Sequence, residues 1–205
     1  MQFVLASASP ARLAVLRAAG VDPVVRVSGV DEDAVIAVLS DPTPGQLVVE
    51  LARAKAAAVA EAVAGQHPDA VVVGCDSMLA FDGEVVGKPG TKERARDRWL
   101  RMAGQSGVLL TGHAVIRLDG GIRTKETAAS RSTVVRWAVP TEPELSAYLA
   151  TGEPLQVAGA FTLDGLGGWF VEGVDGDPSS VIGISLPLTR RLLGEVGVLV
   201  TDLWR

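Results

Sequence analysis

Cysteine is nearly absent: Cys75 is the only one among 205 residues. No disulfide can close within the chain, which fits a reducing compartment. Aromatic residues are scarce as well, at 4%, so the core has to be assembled from Val, Leu, Ala and Ile. No apolar run approaches the ~20 residues that a membrane-spanning helix needs. The opening MQFVLASASP has no basic region and few consecutive apolar residues, unlike a secretory signal. A cytoplasmic protein without a membrane partner is the expectation. Lysine is sparse too, with 4 Lys against 15 Arg and no dense basic block, and the net charge is −5. A surface that neutralises a run of nucleic-acid phosphates is usually basic. A nucleic-acid polymer is therefore not the expected partner, whereas a few convergent cations suffice for a small anion.

Several familiar signatures are also missing. There is no GxxxxGK[ST], no HExxH and no GxSxG. DGLGGW (Asp164–Trp169) is glycine-rich but is not GxGxxG. His67 and His113 stand alone, without the Cys or His company of a zinc site. Cys75 lies in an apolar run, which reads as a packed thiol.

What is present suits one globular domain over residues 1–205, with 48% hydrophobic residues. Phe3–Ala6 reads as a buried strand, and Ser9-Pro10 as the cap and first position of a helix ending at Gly20. Val24–Val27 reads as a second strand. Thr43-Pro44 opens a long helix to Gly65, with Leu47, Leu51, Ala54 and Ala58 spaced as its apolar face. Ala70–Asp76 is a continuous apolar run ending in a carboxylate, the pattern of a buried central strand. Asp82-Gly83 signals a hairpin, and Thr91–Met102 an amphipathic helix closed by Gly104. Two long strands flank Asp119-Gly120-Gly121. Thr141–Glu144 is a capping box for a helix to Ala150. Short strands near Phe161 and Trp169–Val171 precede a last helix near Leu186–Val196. Strands and helices mix without strict alternation, which predicts an α/β fold with a mixed β-sheet and flanking helices.

Four segments carry polar groups suited to chemistry. In SASPAR, a helix N-terminus offers free N–H groups to a phosphate, Ser7 and Ser9 add hydroxyls, and Arg12 adds a charged fork. Ser9 is equally the residue type of an ordinary helix cap. In VDED, Asp31, Glu32 and Asp33 supply the hard oxygens that Mg²⁺ or Mn²⁺ prefer, or form a solvated acidic turn. Asp76, at the end of its apolar run, is placed as a metal ligand or a general base would be, or caps the next turn. In GKPG (Gly87–Gly90), Pro89 stiffens a loop presenting Lys88, and Lys55 on the long helix is a second candidate for holding a polyphosphate.

Together, LASASPAR, VDED, ARAKA, GCDS, GEVVGKP, TGHAV, TGEP, AGAF and GDPSSVIGISLPL resemble the Maf family along nearly the whole chain, most closely its actinobacterial members. The resemblance implies two lobes around a deep cleft, often in a homodimer. It implies a divalent-metal-dependent pyrophosphatase that converts nucleoside triphosphates to monophosphates and pyrophosphate, clearing non-standard nucleotides. Asp76 matches the family's catalytic acid, and Ser9, Arg12, Glu32, Lys55 and Lys88 match other polar positions of its cleft. Metal would fall to Glu32 and Asp76, and the triphosphate to Arg12, Lys55 and Lys88. Relatives that prefer dTTP and UTP carry arginine, lysine and glutamine where this chain has Ala11, Val157 and Asp164. That substitution makes Asp164 a candidate for contact with the base. Two alternatives within the resemblance are an enzyme restricted to 7-methyl-GTP and a nucleotide-binding regulator of septum formation without turnover.

Overall fold

The computed structural model describes residues 1–205. Its frame is a seven-stranded mixed sheet. β1 (Gln2–Ala6) lies parallel to β2 (Val24–Val25) on one side and to β3 (Ala70–Phe81) on the other. β3 then pairs antiparallel with β5 (Ser106–Asp119), β5 with β6 (Ile122–Trp137), and β6 with β7 (Val171–Asp175). β4 (Glu84–Val86) folds back on the far end of β3. The hairpin between them turns through Asp82 and Gly83, both at positive φ, as a two-residue turn requires.

Three apolar clusters hold the layers together. On one face, α3 (Pro44–Val63) covers β1, β3 and β5. On the other, α1 (Pro10–Ala18) and α7 (Leu186–Glu195) pack Leu16, Leu188, Leu192 and Leu193 against Phe3, Leu5, Val71 and Val73. The third cluster surrounds the distal halves of β3, β5 and β6. There α4 (Lys92–Met102) and α5 (Glu142–Ala150) contribute Trp99, Met102, Leu145 and Tyr148. The first two clusters make up one lobe and the third the other, and the long strands β3, β5 and β6 run through both.

The mixed α/β architecture matches the sequence reading; several boundaries do not. The second strand is only Val24–Val25, because β2 is an edge with a single partner. The buried stripe of α3 is Val48, Leu51, Ala52, Ala56, Val59, Ala60 and Val63, with Leu47, Ala54 and Ala58 only half-buried. The helix is rotated because Gly74 and Gly112 admit its backbone: a Cβ on Gly74 would sit 2.4 Å from the Ala52 carbonyl oxygen, and one on Gly112 2.1 Å from that of Val48. No strand forms at Phe161, which follows a tight 3₁₀ turn, and Trp169 lies in another such turn just before β7. Two short helices, α2 (Glu32–Ala37) and α6 (Pro178–Ile182), are capped by Asp31 and Asp177, acids the sequence reading did not place as caps.

The most consequential correction concerns Asp76, which is in mid-strand rather than at a strand end. β1 stops at Ala6, opposite Gly74, while β3 runs on to Phe81 because β5 supports it throughout. The edge that β1 vacates stays open until β4 joins at Leu79. Asp76 sits in that gap.

Candidate active site

Alternation along β3 decides what its side chains meet. Val72, Gly74 and Asp76 share the face toward α3, whereas Cys75 and Ser77 point to the opposite face. Because α3 lies so close over Gly74, Lys55, between Ala52 and Ala56, is carried to the carboxylate. Lys55 Nζ donates to Asp76 Oδ1 at 2.6 Å and lies 2.7 Å from Glu32 Oε1. Glu32 reaches it from the first turn of α2, whose cap is Asp31. Of the three VDED acids, only Glu32 joins this cluster. Burial pushes the Asp76 carboxyl above the usual carboxylate range, Lys55 and Arg12 pull it back, and Glu32 adds to the rise; the balance stays upward.

Arg12 holds the opposite wall. Its Nε donates to Gly183 O at 2.7 Å, Nη1 to Ser7 Oγ at 2.9 Å and Cys75 O at 3.0 Å, and Nη2 to Ser77 Oγ at 3.1 Å. Ser77 Oγ continues to Thr111 Oγ1 at 3.0 Å, which donates to Ser180 O at 2.9 Å. The guanidinium is thereby tied to β3, α6 and the loop before α1, with one N–H to spare. Ser9 caps α1, its Oγ accepting from Arg12 N, and Ser7 Oγ accepts from Ser9 N. Both hydroxyl protons remain available to a ligand.

Lys88 is exposed, and its ammonium makes no ion pair within the chain. Its loop is fastened by Arg98 Nη1 donating to Gly87 O at 2.6 Å, and by Gly90 N donating to Leu155 O at 3.1 Å. Asp164 is exposed on the facing lip. It does not cap its own turn, a role taken by Glu153 instead. The Glu153 carboxylate accepts from Leu166 N at 3.2 Å, Gly167 N at 3.0 Å and Thr162 Oγ1 at 2.5 Å.

Eight of the ten polar candidates from the sequence line one cleft of about 790 Å³, Ser7, Ser9, Arg12, Glu32, Lys55, Asp76, Lys88 and Asp164, while Asp31 and Asp33 lie outside it. Ala11 and Val157 line it too, so the three departures noted above face the same space. No three His, Cys, Asp or Glu side chains gather into a metal cage. The carboxylates that could hold a metal here are Glu32 and Asp76. This suits Mg²⁺, which keeps several waters and takes one or two carboxylates alongside substrate phosphates.

Residues 2–196 match the profile of the Maf-like proteins. The chain belongs to the Maf-like family. A nucleoside triphosphate pyrophosphatase of Saccharopolyspora erythraea is 69% identical over 100% of this chain and 97% of its own. Proteins of the same description from Nocardia farcinica and Rhodococcus jostii are 66% and 65% identical, each covering at least 98% of this chain and 95% of theirs. A solved nucleoside-triphosphatase (dITP/XTP pyrophosphatase) of Mycobacterium abscessus is 19% identical over 67% of this chain and 73% of its own, with a TM-score of 0.34, too loose a likeness to bear on the site.

In this Maf-like chain the polar network is wider than the sequence reading drew. Glu153, Ser77 and Thr111 carry no individual signal in the sequence, although they fall in the TGEP, GCDS and TGHAV motifs. His113 was set aside as solitary and is a wholly buried junction. Its Nδ1 pairs with Thr111 O at 3.1 Å, and its Nε2 accepts from Ser185 N at 2.8 Å. Asp177 accepts from Ser179 N and from the Ser179 and Ser185 hydroxyls, shaping the segment that presents Gly183 to Arg12. Cys75 is buried, and its thiol is pushed up to about 11, as expected of a packed group.

Proposed function

We propose that this protein hydrolyses nucleoside triphosphates to monophosphates and pyrophosphate in the cleft between β3, α1 and the Lys88 and Asp164 lips. The observation that carries the reading is Asp76: a carboxylate held by burial above the usual carboxylate range, at an open strand edge, among cations that line a cleft of nucleotide size. The names of the full-length relatives support the same chemistry.

Lys88 and the hydroxyls of Ser7 and Ser9 take the phosphate chain, aided by the first turn of α1, whose N–H groups lack helical partners. Arg12 supplies fixed positive charge and its one free N–H rather than a swinging fork. Asp76 Oδ1 faces Lys55, while Oδ2 has no partner within the chain and is the free base. It takes a proton from the attacking water as that oxygen bonds to the α-phosphorus. The bond from the α-phosphorus to the bridging oxygen breaks, and pyrophosphate leaves. Mg²⁺ or Mn²⁺, held by Glu32 and Asp76 together with phosphate oxygens, would offset the charge that develops.

Turnover in ¹⁸O-labelled water tests this. Label is expected in the monophosphate, with pyrophosphate as the other product. Orthophosphate and a diphosphate as first products would show a different bond choice and overturn the reading. Binding without any product would favour a nucleotide-binding regulator.

A further inference from the structure

Arg12 and Lys55 are the two cations nearest Asp76, and they are held very differently. Arg12 is fixed by four hydrogen bonds to three separate parts of the chain. Lys55 has only two partners, Glu32 Oε1 and Asp76 Oδ1, at 2.7 and 2.6 Å. Its ammonium is a compact charge on a flexible four-carbon stem. The place it occupies, between two carboxylate oxygens, is the one the proposed metal requires. Mg²⁺ binds oxygens at about 2.0–2.1 Å. An ammonium and a divalent cation cannot both sit between the same two oxygens.

We propose that Lys55 is a resident counter-ion that closes the Glu32–Asp76 pair in the free protein and yields the place to the metal when nucleotide arrives. The inference rests on the reading of Glu32 and Asp76 as the metal's carboxylates. With Lys55 in place, its charge and that of Arg12 balance the two acids, so the free cleft attracts a divalent cation weakly. A triphosphate changes both sides of that balance. It offers Lys55 a new anionic partner and adds oxygens for the metal. Metal and nucleotide therefore strengthen each other's binding, reciprocally.

Mn²⁺ titration of nucleotide-free protein, reading free Mn²⁺ by electron paramagnetic resonance, tests this without relying on activity. Lys55→Gln is expected to bind Mn²⁺ at least about tenfold more tightly than the wild type. Lys55→Arg, which keeps the cation, should stay near the wild type. Lys55→Gln combined with Asp76→Asn should lose the gain. Lys55→Met, which keeps the apolar stem, repeats the comparison should the Gln variant not fold. Equal affinity in wild type and Lys55→Gln, with binding still abolished by Asp76→Asn, would overturn the exchange while leaving the metal site standing. A gain that survives Asp76→Asn overturns it as well. No protein-dependent Mn²⁺ binding in any variant, with or without an α,β-methylene triphosphate, would overturn the metal reading and this inference with it.

Discussion

The α-carbon of Gly74 faces the carbonyl of Ala52 so closely that a methyl group there would lie 2.4 Å from the oxygen. The obstacle is helix backbone, which cannot swing aside as a side chain can. Gly74→Ala should therefore push α3 off the sheet and draw Lys55 away from Asp76. The expected cost is about 1–3 kcal/mol of stability, as for other overpacked cores, together with a fall in kcat/KM. Urea unfolding and steady-state kinetics check it. Gly65→Ala, which meets nothing within 4 Å, is the control and should change neither.

Asp76→Asn keeps the volume and removes the basicity. If Oδ2 takes the water proton, kcat should fall by about 10²–10⁴-fold while nucleotide affinity measured without metal changes much less. Near-normal turnover in a folded variant would remove Asp76 from its role.

Asp164 faces the cleft with a carboxylate unused by its own turn, so the side chain is free for a ligand. A carboxylate only accepts, which suits the adjacent N1–H and 2-amino donors of guanine and meets the carbonyls of uracil or thymine with repulsion. A mispaired group costs about 1–3 kcal/mol. Asp164→Gln should therefore shift preference from GTP and 7-methyl-GTP toward UTP and dTTP by about 10- to 100-fold. Four kcat/KM values moving together would place Asp164 outside the base pocket.

Glu153→Ala leaves Leu166 N and Gly167 N without their acceptor. The loop bearing Asp164 should loosen, raising KM about tenfold with little change in kcat, in keeping with the worth of hydrogen bonds to a charged group. An unchanged KM would mean that the loop holds its shape without that carboxylate.

His113 sets an acid limit to stability. Burial drives its pKa from 6.5 down to about 4, Arg12 nearby adds to the fall, and the Thr111 carbonyl and Asp177 oppose it. The folded state thus keeps the ring neutral where the unfolded chain takes up a proton. The stability is complete above about pH 6.5 and is lost as pH falls toward 4. A difference of that size is worth about 3 kcal/mol. Urea midpoints at pH 7, 5.5 and 4.5 should fall in that order, and His113→Gln should flatten the slope between them. Parallel slopes would assign the acid sensitivity to other groups.

The cleft was legible because its residues are polar groups set among small or apolar ones. Ser9 before Pro10, Lys88 between glycine and proline, and Asp76 after a run of valines each carry a local signal. Glu32 and Lys55 became partners only in three dimensions. Their meeting depends on the distance of α3 from the sheet, set by Gly74 and Gly112, which read locally as unremarkable strand glycines. The strand end assigned to Asp76 failed for a related reason: apolarity shows how deeply β3 is buried, whereas its length is decided by β5, a partner distant in sequence. Glu153 escaped notice because a carboxylate that anchors a distant loop looks, in sequence, like any surface glutamate.

The three strands shared by both lobes have a mechanical consequence. β3, β5 and β6 act as continuous beams, so the jaws of the cleft have no hinge between them, and opening them as rigid bodies would mean bending hydrogen-bonded ladders. Admission of a nucleotide falls instead to small parts at the rim, the Lys88 loop and the Asp164 turn. A ligand that bridges those parts should tighten the mouth without deforming the frame, and the spacing of Asp76 from Arg12 is expected to be the same in the empty and the filled cleft.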